Sequence, residues 1–174
     1  MKVKAEDIGV LLLRVPAGLL LMGHGAQKLF GWFDGGGPDK TGEVMTALGY
    51  PHGKLVGTVA GLGELGSGAG IALGAATPVS AAGLIATMTN AIVAAHLPQG
   101  LWAQHGGFEY PLVLGTAATA LAVHGPGSLS VDAMLGVERK GLTWGMVALV
   151  LGVSSAAVVL SLRRQNQAGE AENP

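Results

Sequence analysis

Apolar residues fall into five long runs divided by short polar segments. The runs cover 8–30, 55–77, 79–97, 108–124 and 141–162, and about 20 apolar residues suffice to cross a bilayer as a helix. The first is interrupted by Arg14 and Lys28, and the second by Glu64 alone. Asn90 and His96 lie in the third, which has no formal charge. The fourth is short and begins beside Glu109 and Pro111, whereas the fifth has no ionisable residue. This pattern predicts an all-α integral membrane protein, a bundle of four or five glycine-rich transmembrane helices.

The polar segments organise the bundle. Only Pro78 and its neighbours divide the second run from the third, so these two should form a tight antiparallel hairpin. In the longest connection, 31–54, Val44, Met45 and Leu48 share one helical face while Lys40 and Glu43 lie on another. That spacing predicts a short amphipathic helix at the membrane interface. The segment GPGSLSVDAMLGVERK links the last two runs, and residues 163–174 read as a polar, disordered tail. Lys2 and Lys4 before an apolar run resemble a secretory leader. The run is too long for one and leads into HGAQKLFGWF, so a retained first helix is expected. Trp32, Phe33, Trp102 and Tyr110 fall at one level, as an aromatic belt does.

Composition agrees. Charged residues are 12%, against about 25% in soluble domains. The 30 glycines lie mostly inside apolar runs, where they let helix backbones approach closely in lipid. A net charge of −1 gives no field for nucleic acid. The absence of cysteine removes disulfides, thiol relays and cysteine-held iron–sulfur clusters. Orientation stays open: an inner N-terminus puts Lys2, Lys4, Arg139 and Lys140 inside but Lys40, Lys54, Arg163 and Arg164 outside.

Ionisable residues in a membrane helix need a partner or water. Arg14, Gly18, Leu21, Gly25 and Lys28 form one small-residue seam, and Gly57, Gly61, Glu64 and Gly68 form another. Arg14 either pairs in the interior or snorkels to the headgroups. A further row, Gly66, Gly70 and Gly74, repeats the small-xxx-small spacing of close helix contacts. The structural reading of Glu64 is an ion pair with Arg14; the functional one is a proton or quinone site. Alternating helix directions would gather His24, Lys28, His96, His105 and Glu109 at one membrane face. No HxxxH or HExxH spacing accompanies them, so no metal is expected and water-bonded interfacial histidines are the usual outcome.

RVPAGLLLMGHGAQKLFGWF, an ALGYP loop, GLGELGSGAGIALG, MTNAIVAAHLPQG, HGGFEYPLVL and GPGSLSVD follow one another in that order. Together they resemble the DoxX family of small bacterial membrane proteins, from about Arg14 to Asp132. The resemblance implies a four-transmembrane-helix bundle in 1–136, leaving 141–162 as an additional C-terminal fifth transmembrane helix. It also implies a multi-pass protein of the bacterial cytoplasmic (inner) membrane linked to redox metabolism. Members look like subunits of a thiosulfate:quinone oxidoreductase, or partners of soluble detoxifying enzymes. The recurrent polar residues carried over are Arg14, His24, Lys28, Glu64, Glu109 and Asp132.

Three function classes follow. In the first, a redox subunit holds a quinone between helices, with Glu64, Arg14 and Glu109 as proton-handling candidates. His24, Lys28, Asn90 and His96 are then the candidate headgroup-binding residues. In the second, a non-catalytic scaffold or assembly factor recruits a soluble partner through 31–54. The third, a small transporter, usually shows inverted repeats, and no internal repeat is evident. Expected partners are the lipid bilayer, soluble or membrane redox proteins, and a second copy docked through glycine-rich faces; nucleic acid is not expected.

Overall fold

The computed structural model describes residues 4–172, so Lys2 and the end of the expected tail lie outside the described residues. The helices are α1 (Ala5–Phe30), α2 (Gly37–Ala47), α3 (Gly53–Leu73), α4 (Thr77–Ala91), α5 (Glu109–His124), α6 (Val131–Met134) and α7 (Leu142–Glu172). α4 runs on through a π-helical turn at Ile92–His96 and a 3₁₀ turn at Leu97–Gln99. Among the described residues there is no strand.

Among the described residues, four helices are long and apolar enough to cross a membrane: Ala5–Phe30, Gly53–Leu73, Thr77–Gln99 and Leu142–Gly169. α5 has 16 residues, about 24 Å of helix, somewhat short of a hydrocarbon core of about 30 Å. α1, α3, α4 and α5 pack in a closed ring, each against the next, and α7 lies outside it against α4 and α5. The protein is therefore an all-α membrane bundle of four helices with a further C-terminal helix.

Alternating directions give the bundle two distinct ends. At one, which we call the α2 face, α1 and α4 end, α3 and α5 begin, and α2 packs across α3. At the other, the α6 face, the 125–135 segment folds over the turn between α3 and α4. The middle of the interior is apolar, with Leu21, Leu84, Ala118 and Ala122 fully buried and Ile71 and Leu121 nearly so, while the α6 end buries Arg14, Thr77, Ser80, Ser130 and Asp132.

The most extensive helix contact is between α1 and α3. A Cβ placed at Gly18 would lie 2.5 Å from the Gly68 carbonyl oxygen, and one at Gly25 would lie 2.7 Å from that of Gly61. Real Cβ atoms do not approach so closely, so the two seams meet through bare backbone. Dispersion between closely apposed backbones is what joins helices in lipid, where neighbouring chains are as apolar as the solvent.

The other glycine row meets its expected role in part, with Gly70 at a close contact to α4 and Gly66 outside any contact. Gly66 faces open space, Gly70 lies against Ser80, and Gly74 (φ 64°) ends α3. The spacing alone cannot tell which of two small-residue faces meets α1. There α3 uses the row containing Gly61 and Gly68.

The segment expected to be a disordered tail is helical, since α7 continues to Glu172. Its last turns are tied to the turn before α3: Arg163 Nε donates to Leu48 O at 2.5 Å and Asn166 Nδ2 to Gly49 O at 3.4 Å. These carbonyls lie more than a hundred positions earlier in the chain, beyond the reach of any local pattern.

The seam makes a direct prediction. Gly68→Ala should destabilise the protein by about 1–3 kcal/mol, the usual cost of overpacking. Gly66→Ala, with nothing within 4 Å, should be neutral or slightly stabilising. Melting temperatures of the two variants in the same detergent check this, and equal melting would remove the crossing from its assigned place.

Candidate functional site

The register of the glycine seam fixes which charged groups meet. Gly18 lies against Gly68 and Gly25 against Gly61, so each step forward along α1 is a step backward along α3. Arg14 is thereby level with Ala72, eight positions from Glu64, or about 12 Å along the axis. Helical side chains also lean toward their own N-terminus. Arg14 leans away from Glu64, while Lys28 and Glu64, on antiparallel helices, lean toward each other.

The expected Arg14–Glu64 pair does not form. Lys28 Nζ donates to Glu64 Oε2 at 2.7 Å instead. The Glu64 side chain is 6% exposed and that of Lys28 is 22% exposed. Arg14, 3% exposed, donates through its two terminal nitrogens to Ala72 O and Leu129 O, and its Nε is buried without a partner. The interior placement of Arg14 therefore holds, with backbone carbonyls in place of a carboxylate.

Around the Lys28–Glu64 pair the interior is polar. His24, one turn before Lys28, has its Nδ1 3.1 Å from Gln27 Oε1, and its ring lies 6.2 Å from that of Tyr110 on α5. The second ring nitrogen of His24 and the Tyr110 hydroxyl have no protein partner among the described residues. Both are available to a ligand.

Asn90 is held in the same half of the bundle. Its Oδ1 accepts from Tyr50 Oη at 2.6 Å. Tyr50 is 2% exposed and packs with Ala94 and Leu160. Burial pushes its phenol above the ordinary range, against smaller opposing effects from Asn90 and Arg163, so it stays a donor at neutral pH. The sequence marks Tyr50 only as part of a loop; nothing local signals that it turns inward.

The remaining candidates build local structure. His96 Nδ1 lies 2.7 Å from Gly106 O, and Glu109 accepts from the Ala103 backbone N–H at 3.0 Å. Both close the loop between α4 and α5 on itself. At the α6 face, Asp132 accepts from Ala76 N (2.7 Å), Thr77 N (2.9 Å) and Thr77 Oγ1 (2.8 Å), capping α4 from a distant segment. The structure thus brings together His24, Lys28 and Glu64, and places Asn90, His96 and Glu109 in the same half with His96 and Glu109 engaged in the loop between α4 and α5, while Arg14 and Asp132 lie at the α6 face. Among the described residues no three His, Asp or Glu side chains converge as metal ligands would.

The family model for DoxX matches residues 9–97, from the first turns of α1 to the end of the α4 π-turn. The match contains the Lys28–Glu64 pair and both glycine seams; α5, α6 and α7 lie beyond it. No curated protein and no solved structure matches the chain.

Breaking a buried pair strands a charge, at a cost of about 3–5 kcal/mol. Glu64→Gln should fall toward the lower end, because Lys28 keeps some exposure. Lys28→Met combined with Glu64→Leu should recover most of the loss. A double-mutant cycle on thermal stability checks this, and additive single effects would show that the two side chains do not interact.

Proposed function

The chain belongs to the DoxX family of membrane proteins, and on that premise we propose that it is a membrane-embedded subunit of a redox system that binds a quinone. The supporting observation is the buried Lys28–Glu64 pair one helical turn from His24, whose ring lies against that of Tyr110, a half-exposed phenol with a free hydroxyl. A quinone headgroup presents two carbonyl oxygens, and each needs a donor. Lys28 has ammonium hydrogens to spare after Glu64 takes one, and the Tyr110 hydroxyl supplies the second contact; His24 Nε2, unprotonated while Nδ1 donates to Gln27 Oε1, would accept from the hydroxyl of the quinol. Leu12, Leu19 and Leu20 on α1 and Leu112 and Val113 on α5 are exposed to lipid, a surface suited to an isoprenoid tail.

A bound quinone takes up two electrons and two protons on becoming a quinol. With no cysteine in the chain, the electrons are assigned to a partner redox protein of the bacterial inner membrane or its adjoining compartments. Glu64 and Lys28 can hold or pass a proton next to the headgroup while keeping the local net charge balanced.

A scaffold reading has one observation in its favour. α2 presents Asp39, Lys40, Glu43 and Val44 outward, beside a shallow groove that Lys54 also lines. Such a surface suits a soluble partner and needs none of the buried groups.

The two readings separate by mutation. In nanodiscs, Tyr110→Phe should weaken binding of a ubiquinone analogue, and His24→Ala that of the corresponding quinol, each by about tenfold, the value of one lost hydrogen bond near 1.4 kcal/mol. Glu43→Lys should leave that binding unchanged. If the purified protein binds no quinone analogue, alone or with co-purified partners, the quinone reading gives way to the scaffold.

A further inference from the structure

The polar and apolar parts of the interior are stacked along the bundle, and the order has a consequence for access. On the α2 side lie half-exposed Tyr110 at the start of α5, Lys28 in the last turn of α1, and, a turn deeper, His24 and Glu64. Beyond them lies the layer of Leu21, Ile71, Leu84, Ala118, Leu121 and Ala122, each at most 2% exposed and without a polar side-chain atom. At the α6-face edge of that layer sits Arg14, anchored to carbonyls, and the hydroxyls nearest the layer, Ser80 and Thr87, are bonded back to the Ala75 and Gly83 carbonyls. Water does not cross a close-packed apolar layer with no hydrogen-bonding groups.

Other features lie on the α2 side of the layer. Lys28 sits two residues before the end of α1 and keeps 22% of its side chain exposed. α4 changes from α- to π-helical turns at Ile92–His96, on this half alone among the described residues. A π-turn inserts an extra residue and loosens the wall it belongs to, and such turns are frequent at functional sites. Asn90 and Tyr50 add a hydrogen-bonded polar pair in this half.

We infer that the Lys28–Glu64 pair is served by a half-channel that opens only on the α2 face and ends blind at the Leu21–Ile71–Leu84 layer. Protons and the polar head of a ligand enter and leave through that face, and the site has no path to the α6 face. This deepens the quinone reading and rests on it for what enters; the access route itself stands on the layering. A quinol oxidised or formed here exchanges its protons with one compartment only.

The cysteine-free sequence makes the test clean, since every thiol is an introduced one. Glu64→Cys is made together with Lys28→Ala, which removes the stranded charge and opens the space of the lysine stem. Lys40→Cys and Glu138→Cys, on exposed positions of opposite faces, report the orientation of membrane vesicles. A membrane-impermeant thiol reagent is then applied to each face separately. The expected result is labelling of Cys at 64 from the face that labels Lys40→Cys, and none from the face that labels Glu138→Cys. Leu84→Cys should be labelled from neither. Labelling at 64 from the Glu138 face, from both faces, or from neither would overturn the half-channel. His24→Cys provides the same reading should the double variant fail to fold. No quinone is used, so a failure of quinone binding and a failure of one-sided access are separate results.

Discussion

Everything in this bundle is referenced to the place where α1 and α3 touch through backbone. Without side chains at Gly18, Gly25, Gly61 and Gly68, the helices approach until carbonyl oxygens take the space a methyl group would need. In lipid this contact has no hydrophobic driving force behind it, so its strength comes from many small dispersion contacts at short range. Such a contact is unforgiving of translation: sliding by one residue would set a side chain against a backbone. The seam therefore acts as a register lock. The positions of Arg14 and Lys28 relative to α3 follow from it.

The two charged ends of α1 then find different kinds of partner. At the α6 face, the turn between α3 and α4 exposes the carbonyls that end one helix and the amides that begin the next. These carry opposite partial charges, negative at the C-terminus and positive at the N-terminus. Arg14 meets the first through Ala72 O, and Asp132 meets the second through the amides of Ala76 and Thr77. Neither helix end supplies its own side-chain cap: Gly74 follows α3 and Ala76 precedes α4. A cation and a carboxylate from distant parts of the chain take that role, and the 125–135 segment is drawn over the hairpin as a result.

Periodicity in the sequence reveals which residues share a helix face, and on that count both seams are legible from the order of amino acids alone. It does not reveal the level at which two faces meet. Arg14 and Glu64 lie on facing seams, yet they are about 12 Å apart along α3 because the glycine contacts set a different register. The same limit separates Gly66 from Gly68: both rows are small, and only packing shows that Gly68 meets α1 while Gly66 is exposed and Gly70 meets α4. Tyr50 and the end of α7 are illegible for another reason. Their partners, Asn90 for the first and the Leu48 and Gly49 carbonyls for the second, are remote in sequence. A polar stretch such as Arg163–Gln167 reads as disordered until an acceptor is found for it.

The kind of partner also decides which charged group is suited to chemistry. Arg14 is bound to backbone carbonyls, which cannot gain or lose a proton, and a guanidinium stays protonated throughout the accessible range. Its state is fixed, and its task is to hold three chain segments together. Lys28 and Glu64 are different, because each is the other's counter-charge. A proton moved from lysine to glutamate leaves two neutral groups, which a low-dielectric interior tolerates better than one unpaired ion. On the proposed reading, the pair could hand a proton to a neighbour and recover it without leaving an isolated charge in hydrocarbon, which a guanidinium anchored to carbonyls could not do.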